Sequence, residues 1–337
     1  MGDGTPRLHI ICERDVGLFS LVQQVIANIP WAVAQNRIPV VHFGDGTCYW
    51  TPNGYRGRQT VWEYYFEPLD PSCPAARIPA PVKALIAADP PSPFEVGYLV
   101  DEDIFVSSHF GDHPLLEGAA LRIPYQWDDP DDRLRGEAKA ILDKYVRPRA
   151  YLSRKVDDFF ASHLAGQYLV GVHVRGTDAT SPQEVRTFRQ GSLVLSRYCA
   201  EIEGLLEIHP TAKIFVASDE QSSVDQLAAA FPDRVIAYDC VRHQGGEAAG
   251  QGPTGWIMPA YIAADRAVAA KNGEDAIVEY LLLSRCDHLV HNGSSLARTV
   301  LLNAPELAHT NTHRRSPDGL ESPAAAGLGD GPGAGGS

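Results

Sequence analysis

The chain has little cysteine, and carries it in isolated positions. Its six cysteines are scattered over 337 residues at Cys12, Cys48, Cys73, Cys199, Cys240 and Cys286. No two of them form a CxxC pair, which excludes a disulfide-rich scaffold and the common zinc-finger patterns. Because no export signal precedes them, we expect all six to be free thiols in a reducing compartment.

Long apolar runs and clustered basic residues are also missing. No stretch of about eighteen apolar residues is available to span a bilayer, and the first residues lack the zones of a signal peptide. Acidic residues outnumber basic ones by 42 to 29, which gives a formal charge of −13 and disfavours nucleic acid and anionic membranes as partners. The expectation is a soluble cytoplasmic protein with no membrane span.

The composition is otherwise that of an ordinary globular protein. Hydrophobic residues make up 44 % and charged residues 21 % of the chain, so it can bury a proper core. The length fits two domains of roughly 150 residues each, or one large α/β domain. The segment 314–337 is rich in glycine and proline, and we expect it to be a flexible tail.

Apolar patterns alternate between strand-like and helix-like periods. Strand patterns occur at 9–12, 38–43, 167–174, 213–218, 234–238 and 288–291, and helical patterns at 18–35, 136–163, 192–208, 221–231, 273–285 and 294–303. Such alternation predicts parallel sheets covered by helices. Pro30 should kink or end the first helix, and Pro148 should interrupt the second. The simplest architecture is two nucleotide-fold-like halves hinged near 150–166.

Polar residues follow several of the predicted strands directly. In an open parallel sheet the ligand lies at the carboxyl ends of the strands, so these residues are the candidate site. They are His173, Arg175, Thr177 and Asp178 after one strand, Ser218, Asp219 and Glu220 after the next, Asp239 and Arg242 after the third, and Asn292, Gly293, Ser294 and Ser295 after the last. Gly17, in the turn of the first half, would face them across a cleft and leave room for a ligand.

Two of these features suit a diphosphate. Gly293, Ser294 and Ser295 open a helix, and a helix N-terminus with two hydroxyls can bind phosphate, although an ordinary serine N-cap has the same pattern. Arg175 at a strand end suits bidentate binding of a diphosphate, with an ion pair to Asp178 as the alternative.

The segment GVHVRGTD at 171–178 resembles the HVRRTD motif of the α-1,6-fucosyltransferase family. That family includes core fucosyltransferases and nodulation-factor fucosyltransferases, and is related to the protein O-fucosyltransferases. VASDEQSSVDQL at 216–227 and EDAIVEYLLLSRCDHLVHNGSSLAR at 274–298 are similar to its second and third motifs. The resemblance implies a GT-B fold of two Rossmann-like domains facing across a cleft. The first (1–150) would hold the acceptor, the second (151–313) the donor, and the tail (314–337) would follow.

The resemblance also implies an activity, namely inverting transfer of fucose from GDP-fucose to a saccharide hydroxyl, without a metal or other cofactor. By position in the motifs, Arg175 would hold the β-phosphate and His173 would lie against the nucleotide. Asp219 would bind the guanine or ribose, and Ser294 and Ser295 would reach the diphosphate.

The acceptor base is less clearly marked. The nearest equivalent of the family's glutamate is Glu184, with Asp178 as the second choice, although Asp178 more readily fixes its loop. Gly176 and Ala179 replace an arginine and a lysine of the motif, so two positive charges are missing. Arg14, Arg242 or Arg298 would supply the missing charge or would instead form structural ion pairs.

Two other functions remain open. Because the two motif charges are missing at Gly176 and Ala179, the chain could be a GT-B enzyme with another nucleotide-sugar donor. Alternatively, it could be a nucleotide- or sugar-binding protein that has the same fold but does not catalyse transfer. No residue pattern indicates the acceptor or the oligomeric state.

Three further patterns are weaker. Asp101–Asp103 matches the DxD of metal-dependent transferases, but an acidic loop gives the same triplet. His109, Asp112 and His113 could ligate zinc, although a polar loop is the simpler interpretation. The aromatic run at 62–66 could stack on a sugar, but core packing is the default.

Overall fold

The computed structural model describes residues 6–124, 128–175, 195–243, 250–251, 257–258 and 266–312. Asp178, Glu184 and the tail at 314–337 lie outside the described residues.

The first sheet is built from residues 8–107. Its strands are β1 Leu8–Cys12, β2 Ile38–His42, β3 Tyr98–Leu99 and β4 Ile104–Ser107, in the order β2-β1-β4-β3. The central strand β1 pairs in parallel with β2 and β4, whereas β3 is an antiparallel edge strand. All five residues of β1 are buried, as expected for a strand covered on both faces.

The second sheet is built from residues 169–311 and is parallel throughout. Its strands are β5 Leu169–Val174, β6 Lys213–Ser218, β7 Val235–Ala237, β10 His288–His291 and β11 Ala308–Asn311. Two short strands, β8 Gly250–Gln251 and β9 Ile257–Met258, pair with each other in antiparallel orientation.

The order of the second sheet is β11-β10-β5-β6-β7. From β5 the chain proceeds to β6 and β7 on one side, and then crosses to β10 and β11 on the other side. The strand order therefore reverses between β5 and β10. In open α/β sheets this reversal leaves a crevice at the carboxyl ends of the two strands, which is where ligands bind.

Helices cover both sheets. They are α1 Leu18–Ala34, α2 Val61–Tyr65, α3 Ala80–Ala88, α4 Asp132–Tyr145, α5 Ala150–Phe159, α6 Leu195–Ile208, α7 Gln221–Ala230, α8 Arg266–Leu283 and α9 Ser295–Asn303. Short 3₁₀ turns lie at Ala75–Arg77 and Pro114–Leu116, and a π turn at Phe160–Leu164 extends α5. One apolar cluster includes residues of α1, α4, α8 and α9, so the two sheets share a core.

The α/β alternation predicted from the sequence is confirmed, with differences in several elements, among them helix α3 and strands β8 and β9, which were not predicted. Helix α1 continues through Pro30 to Ala34, because Trp31 and Ala32 are buried and their packing offsets the missing backbone hydrogen bond. The helix predicted to begin at 273 begins at Arg266. Strands β3, β4 and β11 were not predicted, since each is short and lacks a long apolar run.

The aromatic run after β2 packs in the core. Trp62, Tyr64, Tyr65 and Phe66 are each at most 2 % exposed, so the run is not a platform for a sugar. The Tyr65 hydroxyl donates to the Ala270 carbonyl of α8 at 2.7 Å. This approach requires Gly273, because a Cβ there would lie 2.4 Å from the Tyr65 oxygen.

All six cysteines are free, as predicted. Among the described helices, none combines the length and apolar character needed to cross a bilayer.

Candidate functional site

The carboxyl ends of β5 and β10 bring two predicted site residues into contact. His173, the fifth residue of β5, is the register partner of His291 at the end of β10. Ser294 is the N-cap of α9, where its Oγ accepts from the Ala297 backbone N–H at 3.2 Å. The same Oγ lies 3.1 Å from His173 Nδ1. The contact lies at the reversal of strand order.

The protonation of His173 follows from these contacts. Burial and the nearby Arg175 guanidinium lower the pKa of His173 to about 3, so the ring is neutral near pH 7. Ser294 Oγ thus forms hydrogen bonds both to the first turn of α9 and to the His173 ring.

A second contact joins the starts of helices α1 and α9. Ser20 Oγ in the first turn of α1 lies 2.9 Å from Ser295 Oγ. Gln23 Nε2 donates to the Ser295 carbonyl at 2.8 Å and to Thr299 Oγ1 at 3.1 Å. Two helix N-termini therefore meet, and each carries the partial positive charge of its dipole. Several first-turn N–H groups already have partners: Leu18 N–H donates to the Tyr49 hydroxyl at 3.3 Å, Ser20 N–H to the Gly17 carbonyl at 2.9 Å and Ala297 N–H to Ser294 Oγ at 3.2 Å. The two helix dipoles nevertheless make this point suited to an anion.

Gly17 is the N-cap of α1 and is half-buried. Its backbone angles, φ −61° and ψ 152°, are accessible to any residue. A Cβ at this position would meet nothing within 4 Å, so the space beside the turn is open. Gly17 is thus compatible with a neighbouring ligand, but the backbone does not require glycine here.

Asp219 follows β6 and is half-buried. Its backbone carbonyl accepts from the His243 N–H at 2.9 Å. Burial first, and the Asp219 charge to a smaller extent, raise the pKa of Tyr198, so this phenol stays protonated. The Tyr198 hydroxyl donates to the His173 carbonyl at 3.3 Å. Residues at the ends of β5, β6 and β10 are thereby connected.

Arg175 directly follows β5 and is half-buried. Its guanidinium is close enough to His173 to lower the pKa of that ring. Arg175 and His173 thus lie at the carboxyl end of β5, and Ser294 and Ser295 follow the carboxyl end of β10.

The other candidate arginines have structural partners. Arg242 is buried and donates to Glu279 Oε1 at 2.9 Å and to the Ser218 carbonyl at 3.0 Å. Burial outweighs Arg242 and raises the pKa of Glu279 to about 7. Arg14 donates to Gln24 Oε1 at 2.7 Å.

Arg298 lies at the edge of the site. Its Nη2 donates to Ser295 Oγ at 3.4 Å, and its Nη1 donates to the Pro124 carbonyl. Arg298 is therefore bonded to Ser295, a predicted site residue.

The two sequence segments considered as possible metal sites, at 101–103 and 109–113, form turns in the structure. Asp101 Oδ1 accepts from the N–H groups of Asp103 and Ile104 at 2.9 and 2.8 Å. His109 Nδ1 and His113 Nδ1 each accept a backbone N–H two residues ahead, at 2.8 and 3.1 Å. These side chains close the loops that contain them.

Sequence reasoning missed Gln23 and Tyr198, and it placed Ser20 only at the end of the turn expected to face the site. Ser20 and Gln23 occupy polar positions at the start of an otherwise apolar helix, and Gln23 is fully buried. A polar side chain on the inner face of such a helix is the signal that it has a partner elsewhere.

The fold defined by these two sheets is that of known glycosyltransferases. A NodZ α-1,6-fucosyltransferase structure soaked with GDP-fucose matches with a TM-score of 0.54, at 17 % identity over 89 % of this chain and 94 % of that one. A POFUT1 structure in complex with GDP-fucose matches with a TM-score of 0.52, at 13 % identity over 92 % and 99 % of the two chains.

In sequence, the chain is similar to Nodulation protein Z of Sinorhizobium fredii. The two are 26 % identical over 176 residues, which is 51 % of this chain and 50 % of the relative. The chain thus aligns with about half the length of the curated relative it matches. No protein-family model matches the chain.

Proposed function

We propose that the protein transfers fucose from GDP-fucose to a hydroxyl of a saccharide acceptor. The observation that carries this proposal is the contact of His173 with Ser294 at the point where the strand order reverses. A nucleotide is the usual ligand of that position in an open α/β sheet. The likeness to NodZ and POFUT1 structures prepared with GDP-fucose supports the same choice of donor.

The proposed architecture is GT-B, with two Rossmann-like domains facing across a cleft. The domain of residues 1–150 contains the first sheet and would bind the acceptor, and the domain of 151–313 contains the second sheet and would bind the donor. The contact of Ser20 with Ser295 supports this arrangement, since it brings α1 of one sheet to the donor edge of the other. Residues 314–337 would form a tail.

Each donor group would have a partner at the edge of the second sheet. The Arg175 guanidinium would bind the β-phosphate, and Ser295 with the first turn of α9 would bind the diphosphate. Ser294 would act mainly through His173, because its hydroxyl is directed to that ring. His173 would lie against the nucleotide, and Asp219 would accept hydrogen bonds from the guanine or ribose.

The reaction would proceed with inversion at the sugar. Glu184, or in its place Asp178, would take the proton of the acceptor hydroxyl, whose oxygen attacks C1 of fucose from the face opposite the diphosphate. The bond from C1 to the β-phosphate oxygen breaks, and GDP leaves with the electron pair. Arg175 and the helix N-termini would stabilise the charge that develops on GDP, so the positive charge comes from this chain's own residues.

A second donor remains a candidate because of two motif positions. Gly176 and Ala179 stand where the resembled family has an arginine and a lysine, so the diphosphate would meet fewer charges. GDP-mannose and UDP-sugars are therefore the competitors to compare with GDP-fucose.

Ligand-dependent thermal stability tests the proposal without an acceptor. A ligand that binds only the native state raises the unfolding temperature. We expect GDP and GDP-fucose to raise it, and UDP and NAD⁺ at the same concentration to leave it unchanged. Equal shifts with all four ligands, or none with the guanine nucleotides, would refute the proposed donor.

The base is tested with Glu184→Gln. We expect it to keep the thermal shift with GDP-fucose and to lose release of GDP in the presence of a saccharide library. Glu207→Gln, at an exposed position near the end of α6, is the matched control and should keep both. If Glu184→Gln transfers fucose at the control's rate, Glu184 is not the base.

A further inference from the structure

Three titratable side chains lie directly beside the turn that leads into α9. His291 ends β10, His309 lies on the neighbouring strand β11, and Asp129 belongs to the loop before α4. His291 Nε2 is 3.2 Å from His309 Nδ1 and 3.8 Å from Asp129 Oδ1. His309 Nδ1 is 4.0 Å from Asp129 Oδ2. We name these three residues the His-His-Asp triad.

The triad is connected to the donor site through His291. The Nδ1 atom of His291 accepts from the Gly293 backbone N–H at 2.9 Å. Gly293 has φ +74°, in the region that favours glycine, and the next residue is the N-cap Ser294. A side chain that accepts from the N–H two residues ahead closes a turn in the way that asparagine or aspartate does. His291 therefore fixes the turn that directs Ser294 toward His173.

This bond also determines the tautomer of His291. Because Nδ1 accepts a hydrogen bond from the Gly293 N–H, the ring proton of a neutral imidazole must be on Nε2. Nε2–H then faces His309 Nδ1 as its acceptor. Asn311 Nδ2 donates to Asp129 Oδ1 at 2.9 Å and so orients the carboxylate beside both rings. His291 is fully buried, and the Asp129 side chain is 4 % exposed.

We infer that His291 is a positioning residue for the nucleotide, held in its Nε2–H tautomer by His309 and Asp129. This inference rests on the proposed function, since it concerns the same donor site. Ser294 keeps its contact with His173, and the first turn of α9 keeps its direction, only while the Gly293 turn is closed. An open turn would misdirect the N–H groups that are proposed to bind the diphosphate.

The same three side chains could also be read as a metal site, since their ligand atoms lie within 4.8 Å of one another. The tautomer argues against that interpretation. A metal on Nε2 would place the remaining proton on Nδ1, which faces the Gly293 N–H. Metal-bound histidines instead donate their second N–H to an acceptor. The hydrogen-bonded triad satisfies both ring nitrogens, whereas the metal form would set two donors against each other.

Two substitutions at His291 distinguish the role of Nδ1 from the role of Nε2. His291→Asn keeps an acceptor near the Nδ1 position and loses the donor at Nε2. His291→Gln keeps a donor near Nε2 and loses the acceptor. His288→Asn is the matched control, because His288 begins the same strand and contacts Thr310 Oγ1 at 2.9 Å, away from the turn.

GDP affinity by calorimetry and amide exchange of the peptide covering 289–300 are the two readouts. We expect His291→Gln to weaken GDP binding about tenfold, the effect of losing one well-placed hydrogen bond, and to accelerate exchange at 292–296. His291→Asn should stay within about twofold of the control in both readouts. The role of Nδ1 is refuted if His291→Asn is as defective as His291→Gln, or if His291→Gln matches the control.

Metal analysis of the purified wild-type protein gives an independent result. Stoichiometric zinc that is lost in both His291 variants would overturn the inference and make the triad a metal site. If neither His291 variant folds, amide exchange is measured in two His309 variants instead. His309→Asn keeps an acceptor for His291 Nε2–H and His309→Leu removes it, so only the latter should accelerate exchange at 292–296. Equal exchange in the two His309 variants would also overturn the inference.

Failure of the proposed function has a different signature. If the wild-type protein does not bind GDP, the proposed donor is wrong. The exchange difference between His291→Gln and His291→Asn would still be expected, because it depends only on the Gly293 turn.

Discussion

His9 in the first sheet and His173 in the second are both buried, and burial lowers the pKa of each to about 3. Their surroundings differ. The ring of His9 lies edge-on to Trp31 and Phe105, with centroids 4.7 and 5.2 Å away, and its nitrogens have no hydrogen-bond partner among the described residues. The ring of His173 is bonded to Ser294 at the carboxyl end of its strand.

The comparison teaches which observation points to a ligand site. A shifted pKa and full burial describe both histidines equally, so neither property distinguishes a binding residue from a core residue. Their positions differ, because His9 is the second residue of β1 whereas His173 lies where the strand order reverses, and on this ground only His173 is proposed to bind a ligand. The predictions below test this distinction.

The largest effect on GDP binding is expected from substitution of Arg175, the arginine that lies near His173. Arg175→Ala should weaken GDP binding by about 100-fold or more, because charged hydrogen bonds to a diphosphate contribute roughly 1.5–3 kcal/mol each. Its unfolding temperature without ligand should be nearly unchanged. Calorimetric titration and thermal unfolding measure the two quantities.

Arg37→Ala is the matched variant in the first sheet. Arg37 is 8 % exposed and donates to the Asp103 and Glu102 carbonyls at 2.7 and 3.0 Å. We expect this variant to unfold at a lower temperature and to bind GDP normally. If instead Arg37→Ala loses GDP affinity and Arg175→Ala keeps it, the nucleotide site has been assigned to the wrong sheet.

Acid should destabilise the protein through both histidines. Each is unprotonated in the folded state down to about pH 3, whereas in the unfolded state it takes up a proton below about pH 6.5. The unfolded state therefore binds more protons in this window. Stability is lost as the pH falls below about 6.5, at most about 1.4 kcal/mol per pH unit for each histidine.

Urea unfolding at pH 7, 6 and 5 measures this dependence. His9→Leu should flatten the curve, because it removes one of the protons taken up on unfolding. A curve for His9→Leu that is parallel to the wild-type curve would mean that His9 is already protonated in the folded protein.

Leucine at each histidine gives a smaller and more specific effect. His173→Leu removes the ring that is hydrogen-bonded to the Ser294 hydroxyl, and we expect GDP affinity to fall about tenfold, the equivalent of one hydrogen bond. His9→Leu removes two buried nitrogens that lack partners among the described residues, so stability should be unchanged or higher, and GDP affinity unchanged. Equal GDP affinities in the two variants would abolish the distinction between the two histidines.

The smallest effect concerns the contact between the two helix starts. A double-mutant cycle on Ser20→Ala and Ser295→Ala should give a coupling of about 0.5–1 kcal/mol in unfolding free energy, as for a neutral hydrogen bond. The control cycle pairs Ser20→Ala with Ser284→Ala, whose hydroxyl donates to the Tyr280 carbonyl of its own helix. A coupling as small as that of the control would show that the contact contributes nothing to stability.

Local signals in the sequence were enough to predict much of the fold. The strand 213–218 and the strand 288–291 match β6 and β10, because both are short apolar runs bounded by polar residues. The serine after β10 was correctly placed at a helix start, since Ser294 has the N-cap role that its residue type favours.

The contacts that complete the site could not be predicted in this way. Ser20 and Ser295 are 275 residues apart, and nothing in either segment encodes the distance between them. The bond between His291 and His309 likewise depends on the pairing of β10 with β11, and β11 has too short an apolar pattern to be predicted. The helix through Pro30 depends on tertiary burial of its last turn, which overrides the local preference.

The most direct test of the central claim is a calorimetric titration of the wild-type protein and Arg175→Ala with GDP, with UDP as the reference ligand. The account predicts saturable binding of one GDP per chain by the wild-type protein, much weaker binding by Arg175→Ala, and no binding of UDP by either. Equal affinity of the two proteins for GDP, or no GDP binding by the wild-type protein, would contradict a guanine-nucleotide site at the carboxyl ends of β5 and β10.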